Sequence, residues 1–215
     1  MRDDATGRES VPGGEVNPFA TKYTRLGAVE PLEEDGRTFD PAAVLARLES
    51  AGGCGVFVGP HGSGKSTRLE ACARAAEDTP RAGLSRAVRR VRLRRRWDLW
   101  GTLRAVLGMP AGGLVCVDSL EQAGRVGTFC LTRLARLRGV ELLATCHTPC
   151  GLPVMAMCHT SLELLKRVVE QLPPHAGLVS QQDLADAFSD ANGNIRDALF
   201  ELYDRAETAR SRQRS

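Results

Sequence analysis

The chain has 215 residues, 42% of them hydrophobic, which suits one packed domain with at most a small appendage. A formal net charge of only +3 excludes a polycation that binds nucleic acid with its whole surface. Because no apolar run approaches the ~18 residues of a membrane span and the first residues have no apolar signal core, we expect a cytoplasmic protein without membrane contact.

The N-terminal part of the chain divides into a tail and a short helix. Residues 1–16 are polar, charged and glycine-containing, which predicts a disordered tail. We expect the ordered part to begin at Asn17. Further on, Asp40 precedes Pro41, a pair typical of an N-cap and a first helical position, and a helix is therefore predicted over 40–48.

Residues 59–67 are the most informative segment, and they match the phosphate-loop pattern G-x-x-x-x-G-K-[ST]. An apolar strand, Cys54–Val58, precedes them, and an alanine-rich helical pattern from Ser66 to Ala76 follows, which is the context that the motif requires. In such a loop backbone N–H groups face phosphate oxygens, the lysine reaches the β- and γ-phosphates, and the serine hydroxyl ligates Mg²⁺. The predicted nucleotide-binding residues are Gly59, Pro60, His61, Gly62, Ser63, Gly64, Lys65, Ser66 and Thr67.

Residues 86–96 form an arginine block with seven arginines, among which Val91 and Leu93 alternate. The alternation predicts an edge or half-exposed strand, and a helix is expected over about 98–107. Arginine pairs with phosphate, and Trp97 and Trp100 follow the block, so it is a candidate nucleic-acid contact. The alternative is a solvated strand in an arginine-rich sequence.

An apolar strand that ends in a carboxylate is the second element of a nucleotide site. Residues 114–117 supply the strand and Asp118 the carboxylate, which predicts that Ser66 and Asp118 hold Mg²⁺. Residues 119–138 are predicted to form a helix. Its expected buried stripe is Val126, Cys130, Leu134 and Leu137.

Two polar residues follow the next predicted strand, which covers 140–145. Thr145 and His147 are candidates for contact with the γ-phosphate or with the attacking water, and a loop histidine bonded to backbone is the alternative for His147. A last strand is expected over 153–157. A zinc site built from Cys146, His147, Cys150, Cys158 and His159 is not favoured, because the spacing lacks paired C-x₂-C knuckles.

The rest of the chain is predicted to be helical. Ser161 and Ser180 are expected to cap helices over 162–172 and 181–188, and an amphipathic helix over 195–207 precedes a basic tail, 209–215. Strands that alternate with helices, followed by helices alone, predict an α/β fold: a three-layer parallel-sheet core with a small C-terminal helical lid. We place the core at 17–160 and the lid at 161–208.

The order of these motifs resembles that of the AAA-type ATPases within the P-loop superfamily, over about residues 17–207. The Walker A loop is 59–66, the Walker B strand is 114–118, and the strand end at 143–147 is similar to sensor 1. The layout NPFATKYTR…GPHGSGKST…NIRDALFELYD is similar to that of uncharacterised bacterial ATP-binding proteins.

The resemblance implies ATP and Mg²⁺ as ligands and a role for the C-terminal lid. In the family an arginine near the start of a lid helix reaches the γ-phosphate, and Arg196 is the matching position. Phe19 or Tyr23 is expected either to line the adenine or to pack as an N-terminal arm.

The residue after the Walker B aspartate departs from the family pattern. Many relatives have a glutamate there that activates water, whereas this chain has Ser119 and its next acid is Glu121. We therefore expect slow or partner-stimulated hydrolysis. The predicted catalytic set is Lys65, Asp118, Glu121, Thr145, His147 and Arg196.

Two other functions remain open at this point. One is a P-loop kinase that phosphorylates a small molecule, with the arginine block near the acceptor. The other is a nucleotide-gated binding module without turnover. Neither the protein partner nor the process that it serves follows from the sequence.

Overall fold

The computed structural model describes residues 17–214 except Leu26, Glu34, 80–85 and 175–177. The tail predicted over 1–16 lies outside the described residues, as does Ser215 at the end of the predicted basic tail. Among the described helices, none is both long and apolar enough to cross a membrane.

A five-stranded parallel sheet, in the order β2-β3-β4-β1-β5, forms the centre of the molecule. The strands are β1 Cys54–Val58, β2 Val88–Arg92, β3 Leu114–Asp118, β4 Glu141–Cys146 and β5 Val154–Met157. Every residue of β1 and β4 is buried because helices cover both faces of a parallel sheet. The arginine-rich β2 is a half-exposed edge strand, as its alternation predicts.

Helices form the two layers that cover the sheet and the C-terminal lid. They are α1 Thr21–Thr24, α2 Pro41–Ser50, α3 Lys65–Asp78, α4 Asp98–Leu107, α5 Gly124–Arg138, α6 Leu162–Glu170, α7 Gln181–Asp190 and α8 Ile195–Arg214, with a 3₁₀ turn at Leu120–Ala123. The lid consists of α6, α7 and α8. Successive strand residues point to opposite faces, so Val56 packs towards α4 and α5 while Phe57 packs towards α2 and α3. The three-layer α/β fold predicted from the sequence is confirmed.

The predicted helix caps are present. The Asp40 carboxylate accepts hydrogen bonds from the backbone N–H groups of Ala42 and Ala43, and Pro41 occupies the first position of α2. Ser161 caps α6, and Ser180 forms a capping box with Asp183 at the start of α7. These caps fix where α2, α6 and α7 begin.

The lid helices share a hydrophobic cluster with the N-terminal arm. Phe19 is buried in this cluster together with Leu165 of α6 and Leu202 of α8. Phe19 therefore packs as part of the arm, which is one of its two predicted roles. The boundaries 17–160 and 161–208 stay predictions.

The predicted buried stripe of α5 is wrong at three of its four positions, whereas Leu134 is partly buried against the core. Val126 and Leu137 are 77% and 79% exposed, and Cys130 is exposed as well. The buried positions are instead Gly127, Thr128, Leu131, Thr132 and Ala135. Small residues let the helix approach its neighbours closely, and Gly127 lies against the side chain of Leu99 on α4. Close packing against α4 and the sheet therefore selects this face over the more apolar one.

Two further boundaries differ from the prediction. The helix expected over 119–138 begins as a 3₁₀ turn, because Ser119 adopts a left-handed backbone conformation (φ 64°) and Gly124 has φ 66°. Helix α8 does not end near residue 207 but continues to Arg214. No glycine or proline interrupts it, and Glu207 pairs with Arg210 along its surface.

Candidate functional site

The loop between β1 and α3 is held in shape by glycines and by its own side chains. Gly62 and Gly64 have φ values of 72° and 79°, a region that favours glycine. The Ser63 hydroxyl donates a hydrogen bond to the Pro60 carbonyl at 2.8 Å. A Cβ atom on Gly59 would collide with the Cys158 carbonyl, so no larger residue fits there.

The Lys65 ammonium is buried within this loop. Its Nζ donates to the carbonyl oxygens of Gly59 at 2.7 Å and of Pro60 at 2.5 Å. Burial lowers the pKa of Lys65, and the negative charges of Glu121 and Asp118 act against that shift. The ammonium therefore lies against neutral carbonyls, where an anionic group would stabilise its charge more strongly.

The Asp118 carboxylate is the centre of the polar contacts at the end of β3. Its Oδ1 accepts hydrogen bonds from Ser66 Oγ at 2.9 Å and from Thr145 Oγ1 at 2.7 Å, and Arg92 Nε donates to Oδ2 at 2.8 Å. Burial raises the pKa of Asp118, but the hydrogen bonds from Thr145, Arg92 and Ser66 outweigh burial and lower it. The carboxylate is consequently ionised at neutral pH.

Thr145, at the end of β4, contacts both Asp118 and the residue after it. It is fully buried, and its hydroxyl accepts a hydrogen bond from the Ser119 N–H at 2.8 Å while donating to Asp118. This hydroxyl therefore fixes the end of β3. It lines the site as a positioning group for Asp118.

Glu121 and His147 form a second polar pair beside the loop. The 3₁₀ turn brings Glu121 Oε1 to 3.2 Å from His147 Nε2, and His147 Nδ1 lies 3.3 Å from the Gly59 carbonyl. A carbonyl oxygen only accepts, so Nδ1 carries the hydrogen and the Nε2 contact needs one further proton, on the imidazole or on the carboxyl group. The ring of His61 packs against that of His147 at an interplanar angle of 47°, with 3.9 Å between centroids.

A cavity of about 580 Å³ joins these groups, within the usual size of ligand pockets. Its polar end is lined by the predicted residues His61, Gly62, Ser63, Gly64, Lys65, Ser66, Thr67, Asp118, Glu121, Thr145 and His147. Its apolar end is lined by Val29, Leu32, Leu164, Val168, Ile195 and Leu199. Arg196 of α8 also lines it, whereas Gly59 and Pro60 lie behind it, with their carbonyls bound to Lys65. The sheet and the lid both contribute to this cavity.

Two arginines of the site were not predicted from the sequence. Arg92 contacts Asp118 because the parallel register of β2 and β3 places the two residues side by side. Arg68 is buried under the arm, where it donates to the Leu32 carbonyl at 2.7 Å and lies over the ring of Phe39. Arg68 lies four residues before the buried Cys72 on α3, and this helical spacing is the sequence signal that would have predicted its burial.

The residues present fit a magnesium ion held together with phosphate. Ser66 Oγ and Asp118 Oδ1 are 2.9 Å apart, close to the ~3 Å that separates neighbouring ligands in an octahedron with bonds of about 2.1 Å. Magnesium commonly takes only one or two protein ligands and completes its shell with phosphate and water.

In the described part of the chain no three His, Cys, Asp or Glu side chains are grouped to hold a metal, and the zinc alternative gains no support.

Known proteins resemble this chain in fold but not in sequence. No protein-family model and no curated protein sequence matches it. The structure titled Drosophila ORC bound to DNA superposes with a TM-score of 0.61 at 15% identity, over 99% of this chain and 66% of that chain. This chain thus spans just under two thirds of the length of that relative.

Two further solved structures superpose less well. Replication initiator DnaA bound to AMPPCP and single-stranded DNA gives a TM-score of 0.49 at 11% identity, over 74% of this chain and 57% of that one. A Thermotoga maritima RuvB mutant gives 0.48 at 14% identity, over 79% and 63%. From the strand order and the superposition on ORC, the chain has the fold of the AAA-type P-loop ATPases.

Proposed function

We propose that the chain binds ATP·Mg²⁺ in this cavity and hydrolyses it slowly, at a rate that a partner protein raises. The observation that carries the proposal is the convergence of Lys65, Ser66 and Asp118 at the polar end of the cavity. An ammonium and a hydroxyl at the start of a helix, beside an ionised carboxylate at the end of a strand, suit a phosphate chain with its cation.

Each side chain then has a distinct role. Lys65 exchanges its two loop carbonyls for phosphate oxygens, and the backbone N–H groups of 62–67 bind the remaining ones. Magnesium held by Ser66 and Asp118 stabilises negative charge on the phosphates. Arg196 approaches the γ-phosphate from the lid.

Slow hydrolysis follows from the position of the acids. Ser119 supplies no carboxylate next to Asp118, so Glu121 is the residue that orients the attacking water. Glu121 Oε1 contacts His147 and Oε2 is buried without a hydrogen-bond partner among the described residues, so the carboxylate must turn out of this position to reach a water. A partner that moves His147 would accelerate turnover.

A nucleotide-gated binding module without turnover is the second candidate function. The Glu121–His147 contact favours it, because a permanently engaged Glu121 leaves ATP bound and intact. The small-molecule kinase stays a prediction. A nucleic-acid partner for the arginine block also stays a prediction. Three arginines of that block already have acidic partners: Arg86 pairs with Glu141, Arg90 with Glu70 and Glu77, and Arg92 with Asp118.

The nucleotide claim is tested by replacing Lys65. Lys65→Ala should abolish ATP·Mg²⁺ binding measured by calorimetry, whereas Lys166→Ala, a lysine of the lid helix α6, should leave it unchanged. Unchanged ATP affinity in the Lys65 variant would contradict the proposal.

Turnover is tested separately by phosphate release. Wild-type protein should release phosphate slowly, and Glu121→Gln should reduce the rate while ATP still binds. Release as fast as that of a motor ATPase, with no loss in Glu121→Gln, excludes the slow, Glu121-dependent step.

A further inference from the structure

Helices α4 and α5 lie side by side and run in the same direction on one face of the sheet. Near their starts, Leu99 of α4 packs against Gly127 of α5. Near their ends, Arg138 Nη2 donates a hydrogen bond to the Leu107 carbonyl at 3.1 Å. Residues on the outer surfaces of the two helices are therefore level with one another along a common surface.

This surface exposes large aromatic side chains. Trp97, Trp100 and Phe129 are 79%, 73% and 64% exposed, and Val126, Leu137 and Leu107 are exposed beside them. We call these residues, with the arginines described next, the α4–α5 face. Monomeric proteins rarely expose so many large apolar side chains together unless the surface binds something.

Arginines flank an aromatic residue of each helix in the sequence. Arg96 and Arg104 lie four residues before and after Trp100, and Arg125 and Arg133 lie four residues before and after Phe129. Residues four apart are neighbours on a helix surface, so Arg104 lies next to Trp100, and Arg125 and Arg133 lie next to Phe129. Arg96 precedes α4, and its guanidinium lies by Gly124 at the start of α5. Arg94 and Arg95 add two more exposed positive charges next to Trp97.

Residues 94–138, all of which the structure describes, hold three acids, and only Asp98 lies on one of these two helices. Asp98 accepts hydrogen bonds from the backbone N–H groups of Arg94 and Arg95. Asp118 and Glu121 line the cavity. The six arginines of the α4–α5 face therefore outweigh the single charge of Asp98, and the face is strongly cationic as well as aromatic.

We propose that the α4–α5 face binds single-stranded nucleic acid, with bases stacked on Trp97, Trp100 and Phe129 and phosphates on the flanking arginines. Arginine complements the phosphate charge, and exposed rings stack on unpaired bases of any sequence. A duplex hides its base faces, so it offers these rings nothing to stack on. None of these residues lines the nucleotide cavity, and the site does not depend on ATP binding.

The two tryptophans of the chain both belong to this face, so intrinsic fluorescence reports on it directly. Titration with a dT₂₀ oligonucleotide should quench tryptophan emission, and affinity should fall at least tenfold between 50 and 200 mM salt. A 20-base-pair duplex should bind at least tenfold more weakly. Absence of quenching by dT₂₀ would overturn the proposal.

Variants separate stacking from simple charge attraction, with labelled dT₂₀ followed by fluorescence anisotropy. Trp100→Ser with Phe129→Ser should weaken binding at least tenfold, and Arg104→Gln with Arg133→Gln should do the same. Arg37→Gln with Arg167→Gln, an equal charge change at exposed positions elsewhere, should alter it less than twofold. ATP binding, measured in each variant, confirms that the fold is intact.

Three outcomes contradict stacking of single strands. The first is that the serine variant binds dT₂₀ as tightly as the wild type, and the second is that the wild type binds the duplex as tightly as dT₂₀. The third is that dT₂₀ binds without changing tryptophan emission and is displaced by heparin, which indicates charge attraction alone. Binding of a poly-glutamate peptide with quenching, in place of dT₂₀, would assign the face to an acidic protein instead.

Discussion

At the scale of single residues, the Asp118 carboxylate determines the geometry of the site. One oxygen accepts from two hydroxyl groups and the other from a guanidinium, so the carboxylate is fixed in orientation before any cation arrives. Pre-positioned groups avoid the entropic cost of ordering on binding. Thr145 and Arg92 therefore contribute to the candidate cation site without contacting the cation.

Thr145 gives a test of this positioning role. Thr145→Val keeps the shape of the side chain but removes the donor to Asp118 and leaves the Ser119 N–H without its acceptor. We expect the free energy of unfolding to fall by about 1–3 kcal/mol, the cost of an unsatisfied buried group. We also expect weaker ATP·Mg²⁺ binding, measured by urea unfolding and by calorimetry.

Thr145→Ser is the matched control, because it keeps the hydroxyl and removes only a methyl group. It should retain ATP·Mg²⁺ affinity and lose at most about 1 kcal/mol of stability. Equal affinity in the valine and serine variants would show that the hydroxyl does not position Asp118.

At the scale of elements, the sequence predicts the strands well but not the contacts between helices. β1 and β3 are recognisable because their apolar residues are consecutive and a specific motif or carboxylate follows. The buried face of α5 is not recognisable, because its small residues and threonines are selected by close packing rather than by hydrophobicity. The approach of Glu121 to His147 likewise depends on a 3₁₀ turn that starts at a non-glycine residue with positive φ.

The contact between the β1–α3 loop and helix α8 is an element-scale feature that glycine permits. A Cβ atom on Gly62 would collide with Asn194 Oδ1, the oxygen that accepts from the backbone N–H groups of Arg196 and Asp197 at the start of α8. Asn194 thus caps the lid helix while touching the loop. A shift of the loop at Gly62 would therefore disturb the start of α8.

Gly62→Ala tests this contact, and Gly151→Ala is the matched control because a side chain at Gly151 has open space around it. Gly151 also has positive φ (84°), but a Cβ atom there meets nothing within 4 Å, so Gly151→Ala should cost only backbone strain, about 1–2 kcal/mol. Gly62→Ala should cost about 1 kcal/mol more in urea unfolding, because it also displaces the helix cap. Equal costs for the two variants would mean that the lid does not depend on this contact.

At the scale of the whole molecule, the cavity connects two separately packed parts. Its polar end belongs to the sheet and its apolar end largely to the arm and to helices α6 and α8, whose cluster is distinct from the two that flank the sheet. A ligand that fills the cavity contacts both parts at once. Its binding should therefore stabilise the lid as well as the core.

ATP·Mg²⁺ at a concentration 100 times its Kd should raise the free energy of unfolding by about 2.7 kcal/mol, because it binds only the folded state. For a chain of this length the midpoint of thermal unfolding should rise by roughly 5–10 °C. Hydrogen exchange should slow in α8 as well as in α3, since Ile195 and Leu199 line the cavity together with Lys65 and Ser66. In Lys65→Ala neither change should occur. Protection of α3 alone would show that the nucleotide binds to the core without engaging the lid, and Arg196 would then have no part in sensing it.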